Sequence, residues 1–282
     1  MTFTMKLNHS TGAIAFLLAT PLVTGLTVGI SPSSAAIIAG SAAAVTIDNF
    51  SHIPTDRGTS TNIYTQTIAK NGSVISEATA DAVFLSNCHE LLAANLSQNK
   101  VQGDGNNYSG LAQSQAAVLG DFDIDAEETF SFNFQTFLYL LTSVDNRQSE
   151  RASANGSISF WLINTVTNIL LDSFQIASGL DSSSGFYLNG FASNSFNPTA
   201  INFNLMAQGS AATSLLYTSG VYSRTFGSAT SLRLVEIKNN IAEAEAEAVP
   251  EPSAVLGTAI FLGLFIRGRK LNNKLSQFKS KV

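Results

Sequence analysis

Few residues in this 282-residue chain carry reactive groups at a useful spacing. Cys88, His89 and Glu90 stand side by side and bring a thiol, an imidazole and a carboxylate together. Nucleophilic catalysis needs the first two to converge on one point. Neighbours on a strand point to opposite faces, and on a helix they diverge by about 100°. The other histidines are His9 and His52, so the triplet reads as structural. Cys88 is the single cysteine and closes no internal disulfide.

Asp121, Asp123, Asp125, Glu127 and Glu128 form an acidic cluster. In an extended chain the three aspartates share a face, and calcium accepts several carboxylates. The glycine of a calcium-binding loop is missing, and Phe122 and Ile124 interrupt the acids. The favoured reading is a strand with solvent-facing acids between core residues. Calcium is the one cofactor the pattern admits, and nothing requires it. The chain has no nucleophile elbow, histidine-based zinc motif, phosphate-binding glycine loop or paired CxxC. A glycosidase needs two close carboxylates, and no pair is singled out here. No catalytic residue is assigned. Four aromatics, Trp161, Tyr187, Tyr217 and Tyr222, are of a type that stacks on sugars. Trp161 alternates out of phase with Ile158, Phe160 and Leu162 and shares its face with Ser157 and Ser159.

The elements that position these residues are strands. Phe130, Phe132 and Phe134 alternate with Ser131, Asn133 and Gln135, the period of a half-buried strand. Residues 137–141 are continuously apolar, as in a central strand. Further strand-like runs cover 152–162, 165–171, 174–176, 185–188, 200–206, 214–222 and 230–237, with Gly, Asn, Asp and Ser between them. This spacing predicts an all-β, antiparallel two-sheet sandwich of jelly-roll type over residues 45–240. Residues 81–96 fit an amphipathic helix, 99–110 a loop, and the Ala/Glu alternation of 241–249 a charged spacer. From Val45 to Pro250 eight Lys/Arg face nineteen Asp/Glu, a net charge of −11. That balance argues against nucleic acid as a partner.

The two ends differ from this middle. Residues 1–44 read as a secretory signal peptide, with Lys6 ahead of the uncharged run 12–30 and small residues after it. Ala42 and Ala44 set the favoured cut, before Val45; Ser34 and Ala36 set an earlier one. At the other end Pro250, Glu251 and Pro252 precede an uncharged run of fourteen residues, 253–266. At 1.5 Å per residue this reaches roughly 21 Å as a helix, short of the hydrocarbon core. Arg267, Arg269 and Lys270 then open a basic tail, the asymmetry of a segment ending in the cytoplasm. Pro250 and Pro252 stop the helix from running backwards.

The order Pro-Glu-Pro, apolar helix, basic tail resembles the PEP-CTERM sorting signal of exported bacterial proteins. The resemblance covers about the last thirty residues. It implies a transient membrane anchor, processing by an exosortase-type enzyme, and a cell-surface or extracellular-matrix destination associated with exopolysaccharide. Three function classes follow: a non-enzymatic surface or matrix protein, a carbohydrate-binding module, and a glycan-active hydrolase. An aromatic row on one sheet face would favour the second, and two close carboxylates in a cleft the third.

Overall fold

The computed structural model describes residues 36–86 and 91–247. The sorting motif, its basic residues, Cys88 and His89 all lie outside them. The chain is all-β and antiparallel. Its strands are β1 (Ala36–Asp48), β2 (Asp56–Ser86), β3 (Leu91–Ile124), β4 (Thr129–Ser143), β5 (Glu150–Asn164), β6 (Ile169–Asp181), β7 (Gly185–Ala192), β8 (Phe196–Gln208), β9 (Ala211–Thr225) and β10 (Thr230–Ala246). They form one curled sheet in the order β7-β6-β5-β10-β3-β1-β4-β9-β8, with β2 added to β3. Among the described residues no helix is long and apolar enough to cross a membrane.

The curl begins in β3, whose 34 residues serve both halves. Its first half pairs with β1 (Ala93 opposite Ile47) and its second with β10 (Ile124 opposite Thr230). The buried positions change from odd (Asn95, Ser97, Asn99, Val101) to even (Tyr108, Ala112, Ser114, Ala116) across 104–107. Gly105 and Asn107 carry positive φ at this corner (91° and 59°), where glycine and asparagine are the tolerant residues. The two halves thus face each other around two apolar clusters, a large one and a smaller one built from Ile37, Ala39, Val101, Tyr108 and the alanines of β10.

The larger cluster is aromatic. Phe130, Phe132 and Phe134 are buried on β4, as their period predicts, and Phe160, Phe174, Phe196 and Tyr222 pack around them. Ring centroids lie 5.1 Å apart for Phe134–Phe174 and 5.0 Å for Phe132–Tyr222. Each buried phenylalanine contributes ~2 kcal/mol. Ile158, Phe160 and Leu162 point inward and Trp161 outward, again as predicted.

Four expectations are corrected. Residues 81–86 and 91–96, expected in a helix, are strand: they end β2 and begin β3, and cross-strand pairing outweighs leucine spacing that suited a helix. Residues 99–110 are the corner of β3 rather than a loop. Residues 165–168 are a turn, with Asn168 at φ 55°, and β6 starts only at Ile169. The Ala/Glu stretch is the end of β10 through Ala246: Ala242, Ala244 and Ala246 are buried and the glutamates point out, a period of two that marks a strand.

Ala42 and Ala44 lie inside β1. Ala42 is fully buried, with Gln98 opposite on β3 and Tyr139 opposite on β4. A cut before Val45 would take most of a central strand out of the sheet. The earlier cut, after Ala36, leaves its buried residues in place.

Candidate functional site

The outer face of β5–β7 gathers exposed aromatic rings. Trp161 on β5 is 38% exposed, and Tyr187 and Phe191 on β7 are 47% and 60% exposed. Pairing puts all three on one face. Tyr187 stands opposite Gly179 and Phe191 opposite Gln175, while Gln175 and Ser173 stand opposite Ser159 and Trp161. Gly179 lets the Tyr187 ring lie flat over β6, since a Cβ there would collide with it, and Tyr187 Oη donates to Asn155 Oδ1 at 3.2 Å. Of the other two predicted stackers, Tyr217 is half-buried and Tyr222 belongs to the core. Burial, together with the neighbouring Asp172 carboxylate, drives the Tyr222 phenol far above its usual range, so it stays neutral.

Beside this face the sheet fails to close. β7 and β8 are the two ends of the strand order, and a cleft of about 310 Å³ lies between them, lined by Phe174, Ile176, Leu188, Pro198, Ile201 and Leu216. Phe186 of β7 and Phe203 of β8 stack at 5.1 Å across the gap.

The interior holds a polar stripe that the sequence did not announce. Asn95, Ser97 and Asn99 of β3 face Glu236, Lys238 and Asn240 of β10, all buried. Asn95 bridges Glu236 and Lys238, donating to Glu236 Oε2 and accepting from Lys238 Nζ. Burial raises the Glu236 carboxyl and lowers the Lys238 ammonium, so desolvation pulls both towards their neutral forms. Asn240 Nδ2 donates to Ser97 Oγ at 2.8 Å.

A third constellation joins Ser51, His52 and Glu128. Ser51 Oγ lies 2.8 Å from His52 Nδ1, and His52 Nε2 lies 2.9 Å from Glu128 Oε2. That is the order of a nucleophile, base and acid relay. Its surroundings are those of a clasp. Ser51 Oγ also accepts the Ser131 amide at 2.9 Å, and the Ser51 amide donates to Ser131 O at 2.9 Å. The relay pins the segment after β1 to the start of β4, with the His52 ring 6.0 Å from Phe130. Hydrogen bonding from His52 holds the Glu128 carboxyl below its usual value.

No known family, no curated protein and no solved structure matches the chain. The acidic cluster is shared out among neighbours: Asp121 takes a two-pronged bond from Arg233 at 2.6 Å, and Asp123 accepts from Ser231 at 2.8 Å. Phe122 and Ile124 between them are buried, as the strand reading predicts. Among the described residues no group of three His, Cys, Asp or Glu is placed to hold a metal.

Proposed function

We propose that the chain is an exported, non-enzymatic component of a bacterial cell surface or extracellular matrix, delivered as a membrane-anchored precursor and released by an exosortase-type enzyme. The observation that carries this reading is the run Pro250-Glu251-Pro252, fourteen uncharged residues and a basic tail led by Arg267, Arg269 and Lys270. The acidic, strand-built domain before it suits an extracellular position. The test is the intact mass of the protein recovered from cells with and without the sorting enzyme. A product ending near Pro252 only when the enzyme is present supports the reading. A chain retaining Arg267–Val282 in both strains overturns it.

A second reading is favoured by one observation, the exposed Trp161, Tyr187 and Phe191 on one face. In it the domain binds the exopolysaccharide itself, with the rings stacking on sugars and the two facing halves of the curled sheet forming a jelly-roll-like sandwich. Trp161 is the only tryptophan. Its fluorescence therefore reports on this face directly. Titration with soluble exopolysaccharide is expected to shift the emission, and Tyr187→Ala to weaken the response. No change on titration removes this reading and leaves the first intact.

A further inference from the structure

β2 is an edge strand along its whole length: among the described residues its one pairing partner is β3. From Thr59 to Ser73 it is exposed on both faces. Ile63, Tyr64 and Ile68 are each at least half exposed there. A long, charge-poor edge with unpaired backbone groups is a template for strand addition, which most proteins blunt with charges, prolines or bulges. Between Asp56 and Lys70 β2 contains no proline, and Arg57 is the only charge between those two ends.

The sequence of this edge shows what it fits. On the side shared with Ala112, Ser114 and Ala116 of β3, β2 presents Thr59, Thr61, Ile63, Thr65 and Thr67. This row reads the same in both directions about Ile63. An antiparallel partner with the same sequence would set Thr59 opposite Thr67, Thr61 opposite Thr65 and Ile63 opposite Ile63. The register also matches backbone polarity, because odd positions meet odd positions and their free amides and carbonyls point the same way. It places Asp56 of each copy opposite Lys70 of the other. Threonine pairs and opposite charges across strands are both favourable, and a two-fold interface must be self-complementary.

We infer that the β2 edge is a homotypic docking surface, and that two copies of this chain join through antiparallel pairing of residues 56–70 about a two-fold axis at Ile63. The pairing makes one continuous sheet from the β2–β3–β10 sides of both copies. It is independent of the export reading, since it needs only the folded domain.

The experiment is cross-linking of the full chain, in a Cys88→Ser background, carrying Ile63→Cys. Directly opposed residues in an antiparallel pair have Cα atoms about 4.5–5.5 Å apart, within the span a disulfide bridges. Mild oxidation is expected to give a linked dimer in at least about tenfold the yield of Val166→Cys, an exposed position in the β5–β6 turn, outside β2. Adding Asp56→Lys is expected to lower the yield, because it sets like charges opposite each other. Adding Lys70→Asp to that variant restores the pairing with the signs reversed. Equal yields from Ile63→Cys and Val166→Cys overturn the proposal. So does an Asp56→Lys loss that Lys70→Asp fails to rescue in a variant whose circular dichroism matches the parent.

Discussion

Arg224 Nη1 lies 2.7 Å from Asp172 Oδ2, an ion pair that ties β9 to β6 across the core. Asp172 is buried, and it also accepts from Tyr222 Oη at 3.0 Å and Ser193 Oγ at 2.8 Å. Arg224 is partly exposed and lies over the Phe226 ring. Burial raises the Asp172 carboxyl, but the bonds from Arg224, Ser193 and Tyr222 outweigh it and leave the group below its ordinary value of 3.8.

Removing that charge leaves a guanidinium facing a neutral group and a phenol with a weaker acceptor. Asp172→Asn is expected to cost about 2 kcal/mol, less than a fully buried pair because Arg224 is partly solvated. The pH dependence follows from the direction of the shift. A carboxyl lowered in the folded state stabilises above its unfolded value, and that stabilisation is lost as pH falls through the folded value. Urea midpoints should therefore separate wild type from Asp172→Asn at neutral pH and converge in strong acid. A gap that stays constant down to pH ~2 would refute the assignment.

Lys238 and Glu236 present a different case, because neither reaches solvent. Removing one partner leaves the other buried polar groups of the Asn95 bridge unsatisfied, whereas replacing both partners removes the desolvation cost. Lys238→Met alone is expected to destabilise by about 3 kcal/mol or more, and Glu236→Leu with Lys238→Met to recover most or all of it. Denaturant unfolding of both variants decides this. A double variant as weak as the single one would show that the pair adds net stability.

On the export reading proposed above, the mature N-terminus is expected at Ile37. β1 pairs with β3 from Ala36 to Ile47 and with β4 from Ile38 to Asp48, and Ile37 and Ala39 are fully buried. N-terminal sequencing of the exported protein settles the site. A start at Val45 would mean that the domain folds without most of its central strand.

Ser51 is expected to be inert despite its histidine neighbour. Its hydroxyl is held by the Ser131 amide and the Thr129 carbonyl as well as by His52. A fluorophosphonate probe should leave the protein unlabelled. Labelling that vanishes in Ser51→Ala would revive the hydrolase class.

Local pattern carried much of this protein. Alternation at Phe130, Phe132 and Phe134 and the opposite phase of Trp161 were readable because side chains on a strand repeat every two residues, whatever the partner strand. The same period was present in Ala242, Ala244 and Ala246, but the charge of the intervening glutamates made a strand look like a spacer. The export and sorting expectations also rest on sequence alone, since the residues behind them lie at or beyond the ends of the described chain. Contacts between distant segments were not readable. Asn95 and Glu236 are 141 residues apart, and Ser51 and Glu128 stand 77 positions apart by their numbering. Only the corner at Gly105 and Asn107, which folds β3 back on itself, brings the first pair together. Likewise the palindromic row about Ile63 was visible as letters, but its meaning depended on β2 being an edge. That is a property of strand order, which follows from how the whole chain buries its core.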